Sequence, residues 1–191
     1  SIMHYSTDLI KQNHNIDIDW SNINLNDVNV LKEFKNGNCI GIFQFGTYGL
    51  RKLCKDLKID SFNLLSHATA VYRPASLRNG QTEEFKMHRA QNIRCVYNNK
   101  LDEILYDTYG VIIYQEQVMR IVNELAQMSF TDADKIRKFL DWEDKEALEQ
   151  YRYKFIQGCI KNEISRIDAI KIWKILISYG GYAFNRCFSG D

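Results

Sequence analysis

The chain has 191 residues, of which 45% are hydrophobic and 26% charged, with a formal net charge of +1. That length supports one good hydrophobic core or a piece of a larger domain. The balanced charge excludes a global field that would attract nucleic acid, so any such contact must come from local basic patches. No apolar run reaches the roughly 20 residues of a membrane span, and no basic-then-apolar leader opens the chain, so no membrane partner and a cytoplasmic location are expected. The ends, Ser-Ile-Met and Ser-Gly-Asp, read as cuts. The five cysteines, Cys39, Cys54, Cys95, Cys159 and Cys187, are irregularly spaced. They fit neither a zinc ribbon nor a CxxC redox motif, and the first four read as reduced, small buried hydrophobes.

In chain order, Ile2, Tyr5 and Leu9 fall at helical spacing. Residues 11–29, rich in Asn, Asp and Ile, read as a surface connection. A short helix is expected through Val28, Leu31 and Phe34, stopped at Gly37. Cys39 to Phe45 reads as a short buried strand or extended segment. Leu50, Leu53, Cys54 and Leu57 mark a helix whose other face carries Arg51, Lys52, Lys55 and Lys58. Ser61 caps the next helix, which must end near Tyr72, because Pro74 disfavours helical geometry at Arg73. Residues 78–100 hold Arg78, Lys86, His88, Arg89, Arg94 and Lys100 against Glu83 and Glu84, and read as a solvated face or a phosphate-contacting patch. From Tyr114 onward the helical period is strong. Val118, Ile121, Val122 and Leu125 form one stripe. Thr131 is expected to cap a helix over Ala133, Ile136, Phe139 and Leu140, with Asp134 closing a capping box. A longer helix is expected over Leu148 to Ile160, and another after Ser165, broken by Gly180-Gly181. The fold class expected is mainly α, a multi-helix domain with one or two short strands.

Four segments are more specific. They are Gly41-Ile-Phe-Gln-Phe-Gly-Thr-Tyr-Gly-Leu-Arg51, Ala70-Val-Tyr-Arg-Pro74, Tyr109-Gly-Val-Ile-Ile-Tyr-Gln-Glu-Gln-Val-Met119 and Gly181-Tyr-Ala-Phe-Asn-Arg186. In order, they resemble the motifs of bacterial DNA polymerase III alpha subunits, the C-family replicative polymerases; the third is similar almost letter for letter to YGVIVYQEQVM. Between the last two, Ala133-Asp134 with Arg137-Lys138 and the trio Phe155, Gly158 and Asn162 stand at the family's spacing. Ala75-Ser76 departs from the family's Gly-Pro, which puts the local turn in doubt.

The resemblance implies the fingers region of a DNA-directed DNA polymerase, a nucleotidyltransferase, with residues 1–27 as the end of the palm or a connecting segment and 28–186 as fingers. It implies dNTP and phosphate contacts from Arg73, Arg137 and Lys138. Adjacent residues on a helix point about 100° apart, so Arg137 and Lys138 converge only on a group off the helix side. Lys138 keeps the charge of the family's second arginine but lacks its fork. Spacing alone reads the pair as solvent-facing charge. For Arg73, phosphate contact stands beside an ion pair with Glu116 or a neighbouring aspartate. Tyr182, Phe184, Asn185 and Arg186 are implied to flank the nascent base pair and sugar, or else pack under a helix start. Gln115 and Glu116 read as support for the nucleotide pocket or, by preference, as a brace of the fingers.

The metal-binding aspartates of the family are missing, and Asp17-Ile-Asp19, out of motif order, reads as surface. The Mg2+ cofactor would thus be held outside this chain, which alone should be inactive. Implied partners are primer–template DNA, dNTPs, the remainder of the polymerase chain, the sliding clamp and other replisome subunits. Residues 187–191 resemble the start of an intein, with Cys187 as its attacking thiol. Two alternatives therefore remain: the N-extein part of a protein-splicing precursor, and a non-catalytic helical DNA-binding module.

Overall fold

The computed structural model describes residues 2–97 and 99–187. Helices α1 (Ile2–His14), α2 (Val28–Asn36), α3 (Tyr48–Leu57), α4 (Phe62–Val71), α5 (Pro74–Arg78), α6 (Gln81–Gln91) and α7 (Asn99–Leu105) come first. They are followed by α8 (Gln115–Arg120), which runs into a π-helical turn (Ile121–Leu125), then α9 (Phe130–Asp141), α10 (Lys145–Lys161) and α11 (Arg166–Tyr179). The mainly helical expectation holds. Among the described residues the β-type pairing is an isolated parallel bridge between Tyr114 and Phe184.

Local chemistry sets most boundaries. Asp27 accepts from the backbone N–H groups of Asn29 and Val30 at the start of α2, and Gly37 ends it at φ 73°. Ser61 accepts from the Leu64 N–H at 3.2 Å to open α4. Arg73, extended at φ −137°, places Pro74 at the first position of α5. Ser165 caps α11 by accepting from the Asp168 N–H at 3.1 Å. The cap of α9 lies two residues earlier than expected. Ser129, not Thr131, accepts from the Asp132 N–H at 3.1 Å and donates to the Asp132 carboxylate at 3.0 Å. The same spacing of hydroxyl and acid occurs twice in overlapping register, and the earlier copy starts the helix.

The strand expected over 39–45 is a run of turns. Cys39 and Phe45 are buried, but Gly41 at φ 90° and Gln44 at φ 66° reverse the backbone between them. Asp17 and Asp19 serve the surface: Asp17 pairs with Lys11 at 2.7 Å and Asp19 caps a short turn through the Ser21 N–H at 2.9 Å.

The buried residues form two clusters. One gathers α2, α3, α4 and Phe85 of α6; the other gathers α7 through α11. The segment 109–114 is the seam between them. Side chains of an extended segment alternate sides. Val111, Ile113 and Tyr114 enter the first cluster, while Ile112 enters the second. Gln117 locks this seam: its Oε1 accepts from the Ile113 N–H at 2.9 Å and the Tyr114 N–H at 3.0 Å, and its Nε2 donates to the Thr108 hydroxyl at 2.7 Å. The chain's C-terminal segment closes on it, with the Phe184 N–H donating to Ile113 O at 2.7 Å and the Gln115 N–H to Phe184 O at 2.8 Å.

Candidate functional site

The seam positions the site. Because Phe184 pairs with Tyr114, the segment 182–186 is drawn across the ends of α4 and α8. Arg73, held extended ahead of Pro74, donates from Nε to Ala70 O at 3.1 Å and from its terminal nitrogen to the carbonyl of Tyr182. Its guanidinium lies 4.9 Å from the centre of the Phe184 ring, a cation–π contact. Burial lowers the Arg73 pKa, and the charge of Asp141 opposes that. Arg73, Tyr182 and Phe184 are thus one contact group. Of the alternatives for Arg73, an ion pair with Glu116 is not among those of the described residues, and the neighbouring aspartate whose charge reaches it is Asp141. Glu116 instead accepts from the Arg186 N–H, at 3.2 Å to each oxygen.

Helix α9 brings a second group alongside. Arg137 donates to Asp134 at 2.9 and 3.1 Å, and to Asp141 at 2.9 Å. Lys138 reaches the other oxygen of Asp134 at 2.7 Å. Hydrogen bonds from Lys138 and then Arg137 hold the Asp134 carboxyl below its usual range. Burial raises Asp141, opposed by Arg137 and Arg73. Asp141 is therefore the group felt by both arginines. Opposite charges at i, i+3 and i+4 along one helix are the sequence signal for both carboxylates; Asp134 stood in the motif already, whereas Asp141 was not singled out. Next to them, Gly181 sits against α9: a Cβ there would stand 2.6 Å from Leu140 O. A cavity of about 360 Å³ lies at the other end of the segment, lined by Asn63, Ser66, Phe62 and Arg186.

Arg186 stands 5.3 Å from the Tyr114 ring centre and donates to Asn63 at 3.4 Å. Asn185 turns away to accept from the Cys187 N–H at 3.0 Å. Gln115 contributes its backbone to the bridge. The basic stretch 78–100 is largely engaged within the fold. Lys86 pairs with Asp56 and Glu83, Arg89 with Asp60, Arg94 stacks on Tyr106 and Tyr109, and Lys100 donates to Asn162. Cys187 is exposed, and residues 188–191 of the intein-like segment lie outside the described residues. No helix among the described residues is long and apolar enough to cross a membrane.

The family model for the bacterial DNA polymerase III alpha subunit finger domain matches residues 1–163. The chain is 33% identical over 191 residues to the DNA polymerase III subunit alpha of Campylobacter jejuni, covering 99% of this chain and 16% of that protein. It is 32% identical over 184 residues to the Aquifex aeolicus protein of that name, covering 95% and 16%. For Bacillus subtilis the identity is 33% over 180 residues, covering 94% and 16%. The chain therefore spans about 16% of the length of these relatives.

Proposed function

Because this chain belongs to the bacterial DNA polymerase III alpha subunit finger-domain family, we propose that it contributes dNTP-phosphate and nascent-pair contacts to template-directed DNA synthesis. One observation carries this reading: Arg137 and Lys138 converge on the two oxygens of a single carboxylate, Asp134. The side chains thus overcome the angle between adjacent helical positions and meet at one anionic group. A terminal phosphate offers more charge and more acceptor oxygens than a carboxylate, and suits the arginine fork better. The triphosphate displaces Asp134 and inherits its two cations. Arg73, fixed through Ala70 and the Tyr182 carbonyl, supports the neighbouring segment that carries Phe184.

Phosphoryl transfer depends on positioning and charge stabilisation more than on covalent chemistry by the protein. Mg2+ would polarise the primer hydroxyl and the leaving pyrophosphate. The described residues contain no cluster of three or more His, Cys, Asp or Glu side chains able to hold a metal. They do not fit that ion, and in this reading the metal chemistry belongs to the rest of the polymerase chain.

Steady-state kinetics of the complete polymerase test the reading. Arg137→Ala should lower kcat/KM for dNTP about ten- to hundredfold, the loss of a charge-assisted contact worth roughly 1.5–3 kcal/mol. Arg152→Ala, which removes a surface pair with Glu149, should leave the kinetics alone. Unchanged kinetics in Arg137→Ala would sink the assignment.

A further inference from the structure

The turn between Cys39 and Tyr48 displays apolar side chains without covering them. Phe43 is 86% exposed, Ile40 78% and Tyr48 76%. The reason is local. Buried Cys39 and Phe45 anchor the two ends, Phe45 edge-on to Phe34 with ring centres 5.1 Å apart. Between the anchors, the left-handed backbone at Gly41 and Gln44 throws the tip outward. Glycine accepts such a conformation freely, whereas glutamine does not.

The helix that follows this turn carries cations. Tyr48, Arg51, Lys52 and Lys55 of α3 stand at i, i+3, i+4 and i+7, one face of the helix, opposite buried Leu50, Leu53, Cys54 and Leu57. Lys55 lies over the end of α2, so close that a Cβ at Gly37 would meet its side chain at 2.5 Å. That end of α2 carries Lys35 in its last turn. Nearby carboxylates are already occupied: Asp56 and Glu83 by Lys86, Asp60 by Arg89, while Glu33 accepts from Asn38 at 2.8 Å. Among the described residues, no ion pair involves Lys35, Arg51, Lys52 or Lys55.

We propose that the Ile40–Tyr48 turn and the basic face of α3 form a binding surface for single-stranded DNA, with Phe43 and Tyr48 as stacking platforms and Lys52 and Lys55 on the phosphates. Unpaired bases expose the π faces that an aromatic tip can stack on, and cations beside it neutralise the backbone without reading sequence. A duplex presents the phosphates but hides those faces. The surface is separate from Arg137 and stands or falls independently of the triphosphate reading.

The test uses the complete polymerase and a fluorescent primer–template, either blunt or with a single-stranded template overhang, read by anisotropy across a salt series. Phe43→Ala, at a position exposed enough to spare the fold, should weaken binding of the overhang substrate about tenfold, within the range for one base–aromatic stack. Lys52→Gln with Lys55→Gln should reduce the slope of log affinity against log salt by roughly 1.4, two phosphates at about 0.7 each for a single strand. Blunt-duplex affinity should stay unchanged in both variants, as should KM for dNTP, which Arg137→Ala alone should raise. Overhang affinity untouched by Phe43→Ala overturns the proposal. So does an equal loss on blunt duplex, which would assign the surface to the double helix, or a salt slope indifferent to the lysines.

Discussion

His67 shows how far a single side chain can carry a property of the fold. It is 1% exposed, its Nδ1 stands 2.8 Å from the Tyr114 hydroxyl, and its ring meets Phe85 edge-on. Burial first, then the charge of Arg186, lowers its pKa from 6.5 to about 4. Folding therefore favours the neutral imidazole. The stabilisation is complete above the unfolded value of 6.5 and is lost as pH falls from there towards about 4. The loss is on the order of 3 kcal/mol. Urea unfolding at several pH values should show stability declining over that window, and His67→Gln should flatten the decline. An unaltered slope in the variant would assign the effect to other groups. From the sequence, His67 was an unremarked residue within an apolar helix, since nothing local indicates that Tyr114 and Arg186 come to it. Arg73 was half legible. Its extended backbone follows from Pro74, but its partners, the Tyr182 carbonyl and the Phe184 ring, come from the far end of the chain.

At the scale of elements, Gly158 and Asn162 belong to architecture. Gly158 lets α10 lie directly on the end of the π-helical turn: a Cβ there would stand 1.8 Å from Ala126 O. Asn162 then donates to the carbonyls of Glu124 and Leu125 at 2.8 and 3.1 Å, satisfying acceptors left open at that end. Gly158→Ala would gain about 1 kcal/mol of helix propensity, yet the collision is with backbone, which has little room to yield. A net loss of about 2–3 kcal/mol is expected from overpacking, measured by chemical denaturation. A neutral or stabilised variant would mean that the two helices can separate without cost. The sequence marked these residues by spacing and could not say why they were needed. The 39–45 segment shows the opposite failure. Its apolar run fits a buried strand as well as a turn, and only the two left-handed residues decide between them.

The molecule as a whole is held together at its seam. Ile112 faces one core, while Val111 and Ile113 face the other, so neither cluster is completed without the same short segment. Gln117 satisfies two buried N–H groups there. Gln117→Ala should cost about 2–4 kcal/mol, because both donors lose their acceptor in a buried place. Both cores should then unfold together. Far-ultraviolet circular dichroism and tryptophan fluorescence, to which buried Trp173 of the second core contributes, should give coincident and equally shifted transitions. Separate transitions would show that the cores are independent. The strong motif at 109–119 is thus accounted for physically as the joint between two helical clusters, and Gln117 with Tyr114 as its fastening.

What the sequence determined by itself was local: the helical period, the caps at Ser61 and Ser165, the stop at Gly37, and the geometry imposed on Arg73 by Pro74. Such features depend on residues a few positions apart, and their chemistry can be read along the chain. The meeting of Arg73 with Tyr182 and Phe184, of Arg137 and Lys138 on Asp134, and of His67 with Tyr114 required the folded chain. Side-chain rotamers chose the carboxylate on which two adjacent cations converge. Long-range packing against the 109–114 seam brought the last segment back across the first core. The outward turn of Phe43 also needed tertiary structure, because burial of Cys39 and Phe45 at its two ends leaves the tip nowhere to go but solvent.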